Sequence, residues 1–199
     1  MKKIESTAMT NNLINYKPLF VLGLLFECLG QILLAQGNKF VYSLQPIDFA
    51  HWSLLLGVAF LIPQLGQFPK SVFTFIGAPI LLIGIVSIIG MCVLDFIWWS
   101  QTTQEIRNEF AGHLSQFPSI WKPFITTGPG YTNIGLLLLS LNYFKTEKVG
   151  VGLIIIATLL IYFGSFIASR LIYVYLISAI GYAIMLFKNP IDEHQNQQI

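Results

Sequence analysis

Glu27 lies midway along an apolar run, with Gln31 one helical turn further on. At bilayer depth a carboxylate costs roughly 3 kcal/mol or more unless it is paired, protonated or wetted. On a helix, Glu27 and Gln31 share one face, so together they form a polar stripe that must turn inward. Such a stripe suits a proton or small-solute site, and it equally suits an interhelical hydrogen bond that only fastens two helices. Asp95, within Cys92-Val93-Leu94-Asp95-Phe96-Ile97-Trp98-Trp99, is a second apolar-embedded acid. It is shallower, about one turn from the end of its run, where water can reach it or where it can cap a neighbour. Glu27, Gln31 and Asp95 are the expected transport or proton residues.

A third feature is Thr126-Thr127-Gly128-Pro129-Gly130-Tyr131-Thr132-Asn133. Proline between two glycines removes a donor, adds backbone freedom and breaks a helix. A helix restarting near Thr132 or Asn133 would aim its free N–H groups at the interior, as broken helices do at transporter sites. Gly128, Pro129, Gly130, Thr132 and Asn133 are therefore expected to form a helix-break binding site. The competing reading is a kink or re-entrant loop whose freed carbonyls are satisfied by Thr126 and Thr127. Glu105, Glu109 and His113 recur every fourth residue, and Asp48 and His51 stand in an earlier loop. That spacing makes His51, Glu109 and His113 weak metal-ligand candidates, but any solvated helix face carries the same pattern. No phosphate-binding loop, Gly-x-Ser-x-Gly, His-Glu-x-x-His or Cys-x-x-Cys motif is present, and no cofactor or catalytic residue is expected.

Composition sets the frame for these residues. Of 199 residues 55% are hydrophobic and 10% charged, too little polar surface to cover a soluble globule. A net charge of +2, with no basic run interleaved with aromatics, argues against nucleic acid as a partner. Cys28 and Cys92 both fall in apolar runs and read as small hydrophobes. A hydrocarbon core about 30 Å thick takes roughly 20 helical residues. The expected architecture is all-α: a polytopic membrane bundle of about six spans, near 18–36, 50–68, 72–99, 123–144, 149–168 and 171–187. Residues 18–187 form a single transmembrane domain between a cytosolic arm, 1–17, and a cytosolic tail, 188–199. The first run holds Glu27 and lacks a cleavage site, so it is read as a retained span. One unbroken helix from Val149 to Phe187 would measure about 58 Å, nearly twice the core, so a tight turn is expected at Ser169 and Arg170.

Between Ser100 and Pro118 an outer amphipathic surface helix is expected. Thr102 and Glu105 match a capping box, and Ile106, Phe110, Leu114 and Phe117 recur at helical spacing. Lys2, Lys3, Lys17, Lys70, Lys145, Lys148 and Lys188 fall on one side of a six-span chain and Lys39, Arg107, Lys122 and Arg170 on the other. This asymmetry places both termini in the cytosol of a cell-membrane protein. Trp52, Trp98, Trp99 and Trp121 near outer helix ends agree with it.

The segment Gly23-Leu24-Leu25-Phe26-Glu27-Cys28-Leu29-Gly30-Gln31 resembles the first helix of the small multidrug resistance transporters, in which a lone membrane Glu is followed three residues later by Gly. The resemblance stops there, since the chain is longer than that family's members and the following spans do not share its pattern. No function is carried over. Three readings remain: a transporter of a small molecule, an ion or protons; a noncatalytic membrane subunit or scaffold, with room for oligomerisation; and a membrane-embedded enzyme. The last requires Asp95, His51 and His113 to converge, and the scaffold reading assigns Gly164 and Ala168 to helix packing.

Overall fold

The computed structural model describes residues 15–44 and 47–188. The expected arm as far as residue 14, and the tail after Lys188, lie outside the described residues. Among those described, every regular element is helical. Helix α1 spans Lys17–Leu34, α2 Asn38–Ser43, α3 Phe49–Leu65, α4 Val72–Trp99 and α5 Gln104–Ser115. A short α6, Pro118–Ile120, runs into a π-helical stretch, Trp121–Thr126, and α7 follows over Gly128–Ser140 with a 3-10 turn at Leu141–Tyr143. Helices α8, Lys148–Phe163, and α9, Arg170–Lys188, complete the set.

Three of these, α1, α4 and α9, are long and apolar enough to cross a membrane, while α3 and α8 are apolar but shorter. Large apolar side chains point outward in numbers no soluble surface carries, Phe75 being 81% exposed and Val86 59%.

Each boundary has a local cause. Pro18 opens α1 in its first turn, where its missing N–H costs nothing. Asp48 caps α3 by accepting from the Ala50 and His51 amides, both at 3.1 Å. Between α1 and α2, Gly37 turns the chain at φ 88°, a region closed to most side chains. Helix α5 begins one residue later than the Thr102 capping box predicts. Thr103 is the cap and accepts from the Ile106 amide at 3.4 Å. Either threonine offers the same acceptor, and this start leaves Glu105 in the first turn, facing the positive end of the helix. There its own backbone N–H and the Thr103 hydroxyl hold the Glu105 carboxyl below the usual range.

The expected helix from 149 to 168 also needs correction. Helix α8 stops at Phe163 with Gly164 as its C-cap, the turn occupies residues 164–169, and Ser169 adopts φ 52°. A glycine does mark this turn, and Gly164 and the exposed Ala168 are turn residues rather than packing residues.

Packing follows chain order. Helix α1 lies against α3, α3 against α4, α4 against α7, α7 against α8 and α8 against α9, and α9 returns to α1. The tightest pairs approach through glycine. A Cβ on Gly23 would stand 2.6 Å from the Gly57 carbonyl, one on Gly135 2.6 Å from the Leu81 backbone, and one on Gly150 2.8 Å from the Gly181 carbonyl. Small residues at such crossings gain van der Waals contact where burial of apolar area offers little drive. At the end where α1 begins, Phe20, Phe68, Tyr143 and Tyr182 form one aromatic cluster, with centroids 4.9 to 6.4 Å apart. The Tyr182 hydroxyl donates to the Leu136 carbonyl at 2.5 Å, tying α9 to α7 across the interior.

Candidate functional site

Two acidic centres occupy neighbouring levels of the helix assembly. The first is built on the start of α3 and the last two turns of α4. His51 is three residues into α3, so the Asp48 cap that starts the helix lies on the same helix face and within reach of its ring nitrogen. Its Nδ1 lies 2.5 Å from Asp48 Oδ2, and its Nε2 lies 3.1 Å from Asp95 Oδ2. The imidazole is thus held between two carboxylates. Asp48 is 2% exposed and His51 7%, so the group is nearly dry, with Asp95 its wetter edge. Phe96 lies edge-on to the His51 ring at 6.0 Å and also contacts Trp52, closing one side. Burial opposes ionisation of Asp48, but the His51 hydrogen bond and charge, with the two amides it caps, hold its carboxyl below the ordinary value.

The second centre is Glu27. Gly57 is six residues beyond His51, about 9 Å along α3 at 1.5 Å per residue. It leaves a gap in which the Glu27 carboxylate fits, since a Cβ there would be 2.7 Å from Oε1. Glu27 is 0% exposed, and neither carboxyl oxygen has a hydrogen-bond partner. The Tyr175 hydroxyl from α9 and the Val58 amide are its nearest donors, close enough to interact with the carboxyl but outside full hydrogen-bond geometry. One turn further along α9, the buried Ser178 hydroxyl is unsatisfied as well. Cys92, fully buried on α4, is within electrostatic reach of Glu27, Asp95 and Asp48. Buried groups of this kind are ordinarily satisfied, so a cluster of exceptions calls for an explanation.

The other expected residues are distributed differently. Gln31 is half-buried and lines an open pocket with Arg170 rather than joining Glu27 inside. The helix break lies before Thr132 and Asn133: α7 starts at Gly128 with Pro129 in its first turn. Proline is suited to that position, so the restart precedes the residues expected to begin it. Thr132 and Asn133 accordingly bond back to the Gly128 and Pro129 carbonyls, at 3.0 and 3.4 Å. Both are buried, and only Asn133 Oδ1 lacks a partner. Gly130 is approached by the Tyr162 hydroxyl, which donates to its carbonyl at 3.1 Å. In the turn before Gly128, Thr126 and Thr127 donate to the Lys122 carbonyl at 2.9 and 3.0 Å. Glu109 and His113 are exposed on α5, where His113 stacks edge-on with Phe117. Among the described residues no group of three or more His, Cys, Asp or Glu side chains is disposed to hold a metal ion.

Sequence reasoning missed Tyr175, Cys92 and Gly57. An aromatic, a thiol and a glycine within apolar helices carry no signal until the helix that faces them is known. Asp48 did carry one, as an N-cap acid immediately before an apolar run. No protein-family model, curated protein or solved structure matches the chain.

Proposed function

We propose that this chain is a multi-pass membrane protein that links movement of a small solute to a proton held at Glu27. The observation that carries the reading is the carboxyl itself: fully buried, with no hydrogen bond of full geometry to either oxygen among the described residues and only the Tyr175 hydroxyl and Val58 amide at its side. A side chain kept only as an interhelical fastener gains by completing its hydrogen bonds, whereas a proton carrier needs them to be exchangeable. His51, set between Asp48 and Asp95 nearer the helix ends, is the group that passes protons between water and the Glu27 level.

In this reading the neighbour order of α1, α3, α4, α7, α8 and α9 is that of six crossings, the π-helical stretch and the 3-10 turn supplying the length that α7 alone lacks. Lys17, Lys70, Lys145, Lys148 and Lys188 then face the cytosol, against Lys39, Arg107, Lys122 and Arg170 outside. The enzyme reading requires His113, which is exposed on α5, to act with His51 and Asp95. The scaffold reading draws support from the glycine-lined contacts and is the outcome if Glu27 proves inert.

The test is carbodiimide labelling of the purified protein in lipid bilayers over a wide pH range, mapped by mass spectrometry, with Glu27→Gln as control. The reagent attacks protonated carboxyls in apolar surroundings. Labelling at Glu27 that fades towards alkaline pH is expected. No labelling at any pH would remove the proton role and leave a packed structural protein.

A further inference from the structure

The turn between α8 and α9 lies against the end of α1 and leaves an open pocket of about 330 Å³. Its polar lining comes from Gln31, Ser169 and Arg170, and Leu34, Leu171 and Ile172 supply apolar walls. We propose that this pocket binds an anionic group, a carboxylate or phosphate of a small molecule. The proposal deepens the transport reading and rests on it for the role of that molecule as solute.

The chemistry is one-sided. Arg170 is half-buried, its Nε is shut off from water without a hydrogen-bond partner, and no ion pair reaches it among the described residues. A guanidinium keeps its charge at any physiological pH, and leaving it partly desolvated without a counter-charge is costly unless an anion arrives. Its planar fork fits a carboxylate or phosphate in two parallel hydrogen bonds. The other donors converge on the same space. Arg170, Leu171 and Ile172 are the first residues of α9, a 19-residue helix, so the pocket lies at the positive end of its dipole, although the Ile172 amide is already bonded to the Ser169 carbonyl. Gln31 adds a side-chain amide and Ser169 a hydroxyl. No acidic side chain lines the pocket. The volume is at the small end of ligand sites, enough for a short organic acid or for one phosphate group. Gln31 is one turn along α1 from Glu27, so the two sites share a helix.

The experiment is thermal unfolding of the purified full chain with increasing acetate, succinate or inorganic phosphate at constant ionic strength, and in parallel in bilayer discs with and without phosphatidylglycerol. Saturable stabilisation is expected. Arg170→Gln should weaken it by about tenfold or more, as loss of a charge-assisted pair does, with Gln31→Leu weakening it less. If Arg170→Gln does not fold, Arg170→Lys takes its place, retaining charge but not the two-pronged geometry. Stabilisation by the soluble anions identifies a free solute, and stabilisation by the anionic lipid alone identifies a headgroup; both sustain the anion site. No saturable shift with either source, or equal shifts in wild type and in the Arg170 and Gln31 variants, overturns it. Anion-dependent stabilisation is read without any flux measurement or carboxyl labelling, so failure of the proton reading and failure of this one are separately visible.

Discussion

Replacing Glu27 by methionine is expected to make the protein more stable while abolishing any proton-linked activity. The two carboxyl oxygens are buried and unpaired, and leaving such groups unsatisfied costs about 1 to 3 kcal/mol in a water-soluble protein. In a membrane the change is about 1 kcal/mol, the scale measured for polar contacts between membrane helices. Methionine is the right probe. It is unbranched and close in volume, and Gly57 leaves room only for a slender side chain, with the Glu27 backbone amide 2.9 Å from where a Cβ would stand. The assay is reversible unfolding in mixed micelles under increasing dodecyl sulfate, comparing wild type, Glu27→Gln and Glu27→Met. Glutamine keeps the polarity and is expected to fall within about 0.5 kcal/mol of wild type. If Glu27→Met instead destabilised the protein by about 1 kcal/mol or more, the carboxyl would be making real interhelical bonds. Tyr175 would be the first partner to examine, through a double-mutant cycle with Tyr175→Phe.

Gly57→Ala places a methyl group 2.7 to 2.9 Å from the Glu27 side chain, its amide and the Gly23 carbonyl, forcing α1 and α3 apart. It is expected to cost about 1 to 3 kcal/mol in the same unfolding assay, whereas Gly152→Ala, which meets nothing within 4 Å, should be neutral or stabilising. Tyr182→Phe removes the bond to the Leu136 carbonyl and is expected to cost about 0.5 to 1.5 kcal/mol. Because the folded Asp48 carboxyl lies below its unfolded value, its contribution is complete above the unfolded value and lost as pH falls through the folded one. Acid titration of stability should therefore be shallower in Asp48→Asn, and Asp48→Ala should lose about 1 kcal/mol more than Asp48→Asn because asparagine still caps α3.

The apolar runs announced the helices well, because the pressure to satisfy every backbone group in lipid writes itself into composition. Glu27 stood out for the same reason, as a charge where charge is expensive. Partners across helices were far less visible. His51 and Asp95 are 44 positions apart, and the same reading that set them beside His113 had no means of knowing that α5 holds His113 out in the open. Local signals misled by a residue or two where equivalent groups stand side by side, as with Thr102 and Thr103, or where a proline serves as a helix start rather than only as a break. The Arg170 pocket was hidden because a turn of Gly164 to Ser169 looked like a mere joint between two runs.

The return of α9 to α1 has a consequence for how the molecule comes to exist. Tyr175 and Ser178 belong to the last of these helices to leave the ribosome, and Glu27 belongs to the first. Throughout synthesis the acid must therefore wait without its final neighbours, sheltered by the insertion machinery or turned against α3. A nascent chain arrested before Arg170 would lack the α9 side chains that cover Glu27, leaving a buried acid exposed as a mark of an unfinished copy.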